Sequence, residues 1–212
     1  TPENEKQGIA RGPGNAFHFV RGGFHLLFID YRAFGAGSPQ CAWLSQTLAS
    51  IPDRAWLGLV SHGPLFQVAR PFFSEPAMVA FVKDALAKRK ADFFFCGHTH
   101  NQALSTHRLT APLAQVKCSS IGFRADAPLA LEREQALLLK AGFHWGGAET
   151  SAPGYWVFEL KGKRMHARWQ APGHAGCVRF TKERGMALRM VEKPSASPVP
   201  MTPFDLALIS EA

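Results

Sequence analysis

Hydrophobic positions in the first hundred residues fall into short apolar runs separated by amphipathic stretches. Phe17 to Val20 and Phe24 to Ile29 are two such runs, divided by Arg21-Gly22-Gly23, which is a hairpin signal. The second run ends at Asp30, and a Gly-, Pro- and Ser-containing loop occupies 31–39. Residues 40–51 carry Trp43, Leu44, Thr47, Leu48 and Ile51 at helical spacing, and Pro52-Asp53 stops that helix. Trp56 to Val60 is apolar again and runs into Ser61-His62-Gly63-Pro64. Ser74 is placed to cap the next helix and Pro76 suits its first turn, while Met78, Val82, Ala85 and Leu86 form its apolar stripe. Phe93-Phe94-Phe95-Cys96 reads as a buried strand. The segments 24–30, 40–51, 56–61, 76–90 and 93–96 thus alternate strand, helix, strand, helix, strand. That order predicts an α/β fold with a parallel sheet and crossover helices.

The pattern changes after His100. Ala114 to Cys118 reads as a further strand and 128–141 as a short helix closed by Gly142. Tyr155 to Leu160 and Met165 to Trp169 flank Lys161-Gly162-Lys163-Arg164 as a hairpin, and Val178 to Phe180 with Ala187 to Met190 reads as another. Residues 1–16 read as irregular. Pro and Ser accumulate over 192–204, so the expectation is one folded portion over 1–190 and a tail over 191–212. There is no internal repeat.

Composition narrows the picture. With 212 residues, 46% hydrophobic and 19% charged, the chain is large enough for one sizeable core. Its longest apolar runs are far below membrane-spanning length, so no membrane contact is expected. The formal net charge of +8 fits a solvated basic surface, or attraction to anionic substrates such as phosphate esters, better than it fits nucleic acid. The tightest basic cluster, Lys88-Arg89-Lys90, falls at the end of a predicted helix, where it complements the helix dipole. Cys41, Cys96, Cys118 and Cys177 show no Cys-x-x-Cys spacing, which argues against a zinc ribbon. Cys96 reads as a small buried residue.

The chemistry lies in the histidines. Gly97-His98-Thr99-His100 follows a buried strand and therefore marks its C-terminal end, where open α/β sheets bind ligands. Gly97 lacks Cβ bulk, so the backbone is expected to turn sharply there and let the rings converge. His62 has the same context at the end of the preceding strand. Neighbouring parallel strands would bring both loops to one sheet edge, and neutral imidazole is a good ligand for zinc, iron and manganese-type centres. His18 and His25 read as strand residues of the first hairpin, His107 as a surface-loop residue, and His144, His166 and His174 have no ligand-type spacing.

Taken together, Ser61-His62-Gly63-Pro64 and Gly97-His98-Thr99-His100 resemble the motifs of the calcineurin-like metallophosphoesterases. The resemblance continues in Phe17-His18-Phe19 with Phe24-His25-Leu26-Leu27-Phe28-Ile29-Asp30, which is similar to the family's strand pair before its Gln-x-x-Trp-Leu helix. That helix motif stands here as Gln40-Cys41-Ala42-Trp43-Leu44, and Gly154-Tyr155-Trp156-Val157-Phe158 resembles the family's closing hairpin. The likeness spans roughly residues 15–170. It implies a two-sheet β-sandwich flanked by helices, with a dinuclear centre of two divalent or trivalent metal ions (Fe, Zn or Mn) at the strand ends. His62 and His98 would ligate one metal and His100 the other. The implied activity is hydrolysis of phosphate mono- or diesters by a metal-activated hydroxide, with a small phosphorylated substrate.

The family's Asp-x-His, Gly-Asp-x-x-Asp and Gly-Asn-His-Glu/Asp motifs are absent from this sequence, and Gly14-Asn15-Ala16 does not replace the last of them. The expectation is therefore the C-terminal portion of a phosphoesterase domain, incomplete at its N-terminus, which need not be active alone. A missing N-terminal half or a companion chain would supply the carboxylates. The alternative is a truncated or degenerate relative that binds metal or anion without hydrolysing. A variant needs only this chain: Asp30 with His62, His98 and His100 as a mononuclear N₃O site. Asn101-Gln102-Ala103 lacks the Tyr-Glu-Arg continuation of purple-acid-phosphatase-like members. Phe66, Phe72, Phe73 and Trp145 are candidates for cleft walls and equally for core packing.

Overall fold

The hairpin signal at Gly22-Gly23 is realised directly. Both residues have positive φ (58° and 77°), as a two-residue type I′ turn demands, and the turn joins β2 (Phe17–Arg21) to β3 (Phe24–Ile29). The computed structural model describes residues 8–65, 75–88, 91–98, 100, 102–107, 110, 113–118, 143–150, 154–170 and 179–192. A short strand β1 (Ile9–Arg11), in a stretch expected to be irregular, pairs antiparallel with β2. The alternation that follows is as expected: α1 (Pro39–Ser50), β4 (Trp56–Ser61), α2 (Pro76–Lys88) and β5 (Phe93–Cys96). Ser38 caps α1 by accepting a hydrogen bond from Cys41 N, and Pro39 occupies its first turn.

Two further strands, β6 (Gln102–His107) and β7 (Ala114–Lys117), follow, then β8 (Phe143–Thr150). With β1–β5 they form an eight-stranded sheet in the order β1-β2-β3-β4-β5-β7-β6-β8. Its centre, β3-β4-β5-β7, is parallel, and its margins are antiparallel. The strands β9 (Tyr155–Lys161), β10 (Arg164–Gln170), β11 (Arg179–Glu183) and β12 (Arg189–Glu192) form a second, antiparallel sheet in the order β12-β11-β10-β9. The β6 and β8 strands were not among the expected elements. Strand β12 runs through Glu192, so the sheet extends past the expected start of the tail at 191; the expected helix over 128–141, the Ser74 cap and residues 193–212 of that tail lie outside the described residues.

The large sheet has a core on each face. Leu27, Ile29, Leu57, Leu59, Phe94 and Cys96 pack against Leu44 and Leu48 of α1 and Met78 and Val82 of α2. On the opposite face Trp56, Phe93, Leu104, Ala114 and Val116 pack against Met165, Ala167 and Phe180 of the small sheet. The architecture is therefore helices, mixed sheet, second sheet. Gly58 lies where the strands crowd: a Cβ there would sit 2.9 Å from both Leu26 and Phe95. No helix among the described residues is long and apolar enough to cross a membrane.

Asp92, immediately before β5, ties these layers together. Its backbone N–H donates to Leu57 O and its carbonyl accepts from Ala114 N, so it continues the ladders toward β4 and β7. Its carboxylate accepts from Leu57 N (3.3 Å) and from Gly185 N (2.8 Å) in the β11–β12 turn. The buried Lys182 ammonium lies 3.6 Å from the same carboxylate and also donates to Met186 O. Burial depresses the Lys182 pKa, and Asp92 opposes that shift. Removing one member of such a pair strands a buried charge. Asp92→Ala is therefore expected to cost about 3–5 kcal/mol in urea unfolding. Asp92→Ala combined with Lys182→Met should recover part of that loss, and additive losses would show that the pair is not coupled.

Candidate functional site

The parallel centre of the sheet ends in a row of loops at one edge, and these loops build the site. Ile29 ends β3 and Asp30 and Tyr31 follow it, Ser61 and His62 close β4, Cys96 and Gly97 close β5, and Cys118 follows β7. Together with Asn15 and Phe17 they line an open cavity of about 530 Å³. Phe17, Phe28, Val60 and Phe95 make its apolar wall, and Phe17 and Phe28 stack with centroids 4.1 Å apart.

His62 and His98 meet there, as adjacent parallel strands require. Nδ1 of His98 lies 2.9 Å from Nε2 of His62, and the rings are nearly perpendicular with centroids 4.9 Å apart. Gly97 N donates to His62 O at 3.1 Å, which locks the two loops at the backbone. The sharp turn is made one residue later than the sequence suggested. A Cβ at Gly97 would reach His62 O only at an ordinary 3.9 Å, and Gly97 is not among the positive-φ glycines. His98 itself takes the left-handed conformation, at φ 67°, the one non-glycine residue to do so among those described. Such a conformation costs a non-glycine residue about 1–2 kcal/mol and persists where neighbours over-determine it.

The donors divide as follows. Two nitrogens held at this separation fit the bite of one divalent ion, given nitrogen–metal distances of about 2.0–2.1 Å. Among the described residues no group of three or more His, Cys, Asp or Glu is arranged to hold a metal ion. His100 is half-buried and is not part of such a group with His62 and His98. Asp30 lines the cavity, but its Oδ1 accepts from Arg32 N (2.9 Å) and so caps the turn after β3. The described residues therefore fit one ion in part and do not furnish a donor set for two.

The spacing of Gln40 and Trp43 acquires a physical meaning here. The buried Gln40 amide pairs with the Asp30 backbone in both directions, donating to Asp30 O and accepting from Asp30 N, each at 2.9 Å. It thereby fixes the loop that carries Asp30 and Tyr31 to the start of α1. Trp43 packs against Gly12, where a Cβ would come within 2.6 Å of the indole.

Tyr31, Arg32, Ser61 and Cys118, which line or adjoin the cavity, carry no site role in the sequence reading. The Tyr31 ring lies 6.2 Å from that of His62. Arg32 donates from Nε to Tyr31 Oη (2.9 Å) and sits over the ring, placing a cation beside the cavity. Ser61 is buried at the cavity, and its hydroxyl has no hydrogen-bond partner among the described residues. Phe66, Phe72 and Phe73, and the side chain of Trp145, lie outside the described residues.

The left-handed turn at position 98 yields a direct test. His98→Gly and His98→Ala both remove the imidazole, but only glycine relaxes the backbone. His98→Gly should unfold at higher urea than His98→Ala, by about 1 kcal/mol. Equal midpoints would show that position 98 is unstrained.

No family model matches the chain. Several solved structures resemble it, two of them as follows. One is "GAP50 the anchor in the inner membrane complex of Plasmodium", with a TM-score of 0.53 and 13% identity over 94% of this chain and 60% of that one. The other is the purple acid phosphatase PPD1 from yellow lupin (Lupinus luteus) seeds, with a TM-score of 0.55 and 14% identity over 89% of this chain and 35% of that one. The chain thus spans less than two thirds of either relative. What the second likeness establishes is a distant resemblance of fold to a purple acid phosphatase.

Proposed function

We propose that this chain carries the histidine-bearing part of a metal-dependent phosphoesterase that hydrolyses phosphate mono- or diesters. In this reading His62 and His98 serve one metal ion and His100 a second, with iron, zinc or manganese as the ions. The carboxylates come from polypeptide outside these 212 residues, as a preceding half or a companion chain. The observation that carries the reading is the His62–His98 pair, 2.9 Å apart on the ends of adjacent parallel strands and held by a strained His98 backbone. Strain of this kind concentrates at functional sites.

Bound ions would neutralise charge on phosphoryl oxygens and acidify a water. The chain's own groups have separate tasks. Gly97 N–H on His62 O keeps the two loops in register, so the imidazoles remain together. Gln40 holds the Asp30–Tyr31 loop, and Tyr31 holds Arg32, whose guanidinium would attract an anionic ester. Phe17, Phe28, Val60 and Phe95 offer an apolar wall for the carbon part of the substrate.

A second reading rests on the lack of a three-donor group among the described residues: a domain of the same fold that binds metal or anion without turnover. One of the two structural relatives is itself described as an anchor. Two measurements separate these readings. Mn²⁺ binding should weaken at least tenfold in His62→Ala and in His98→Ala, no less than the loss that follows from removing a partner behind a ligand. Assays with p-nitrophenyl phosphate and bis-p-nitrophenyl phosphate then decide turnover. Binding without turnover, also in a form containing the missing carboxylates, selects the non-catalytic reading. Metal affinity unchanged in both variants would falsify both.

A further inference from the structure

A second pair of histidines meets on the first hairpin, away from the site. His18 Nε2 and His25 Nδ1 lie 3.0 Å apart, with their rings stacked at 26° and centroids 5.1 Å apart. In the antiparallel register His18 stands opposite Leu27 and His25 opposite Val20, so the two histidines are diagonal neighbours on one face of β2 and β3. That face is the one whose Leu27 and Ile29 pack toward the helices, whereas Phe17 and Phe28 of the cavity alternate to the other. His25 lies five residues from Asp30 along β3, about 16 Å at the usual rise of a strand.

We propose that His18 and His25 form a separate binding site for a single divalent transition ion of the zinc or copper class. Two nitrogens each about 2.0–2.1 Å from one ion lie about 2.9 Å apart at 90° and about 3.4 Å apart at the tetrahedral angle. The observed 3.0 Å falls inside that span. Binding replaces the direct contact between the rings, each of which turns so that its lone pair faces a common point. The backbone is already set by the Gly22-Gly23 turn and by ladders on both sides, β1 against β2 and β4 against β3. Binding therefore orders only two side chains, which keeps its entropic cost low.

Space and protonation agree with this assignment. The residue opposite His18 on β1 is Ala10, whose methyl leaves room beside the imidazole for water or a small anion to complete the coordination. Both histidines are half-buried, so the site is reachable yet partly shielded. Burial first, and then the His25 charge, hold the His18 pKa below its ordinary 6.5. The ring is accordingly neutral at pH 7, the form that ligates. Imidazole donors suit Zn²⁺, Cu²⁺ and Ni²⁺, with Cu²⁺ bound most tightly of the three.

The test uses the whole chain and a background in which the other histidine pair is disabled, so that it stands apart from the phosphoesterase reading. Zn²⁺ calorimetry is run on His98→Gln and on the double variant His18→Gln/His98→Gln. His98→Gln is expected to keep one Zn²⁺ site, and the double variant to bind at least tenfold more weakly. Because His18→Gln could disturb the hairpin, a second measurement uses His98→Gln alone. Substoichiometric Cu²⁺ should broaden the amide NMR signals of residues 17–27 first. Equal Zn²⁺ affinity in the two proteins, or broadening that spares this hairpin, would overturn the proposal and leave the pair as a neutral hydrogen bond only.

Discussion

The fold hangs on one buried carboxylate. Asp92 sits where β5 begins, and through backbone and side chain it contacts β4, β7 and the β11–β12 turn. Its partner Lys182 belongs to the second sheet. The pair therefore couples the layers in a way the apolar core alone does not. Apolar contacts are non-directional and tolerate sliding of one sheet over another, whereas a charge that must find its counter-ion in the dry interior admits one register. Because β5 leads directly to His98, the same anchor sets the height at which that histidine emerges at the opposite end of the sheet.

The site depends on that precision. His62 and His98 belong to strands that are neighbours in space and 36 residues apart in sequence, and the Gly97–His62 backbone hydrogen bond fixes the loops to each other. The polypeptide turns at His98 in a conformation glycine would adopt more readily. A glycine was available one position earlier, yet the strain is borne by the residue that carries the imidazole. This sets the ring against His62, which lines the cavity, at some expense in stability, and it is the clearest departure from conformational preference among the described residues.

Much of this was legible in the sequence, for identifiable reasons. The β3-α1-β4-α2-β5 alternation is announced by apolar runs such as Phe93 to Cys96 and by stops such as Pro52, and the meeting of His62 with His98 follows from parallel neighbours. What escaped had no clean period. Strand β6 buries Gln102 and Ser105 beside Ala103 and Leu104, so it does not alternate, and β1 is too short to show a pattern at all. The backbone clamp made by Gln40 was visible only as a motif, because a side-chain amide replacing a ladder hydrogen bond leaves no hydrophobic trace. Likewise, His18 and His25 read as ordinary strand residues, since diagonal contact across a hairpin depends on register, which the turn type decides.

The two faces of β3 differ in a way that reaches beyond the site. Leu27 and Ile29 are buried under the helices, while Leu26 and Phe28, with Phe17 and Phe19 on β2, stay half-exposed. Among the described residues the second sheet packs over β4 to β7 and reaches β3 only at Phe24, so this margin lies beyond that contact. In solution the +8 charge keeps such margins on different molecules apart at low ionic strength. At about 0.15 M salt that repulsion fades beyond about 8 Å, and the balance between molecules passes from charge to this half-exposed apolar margin.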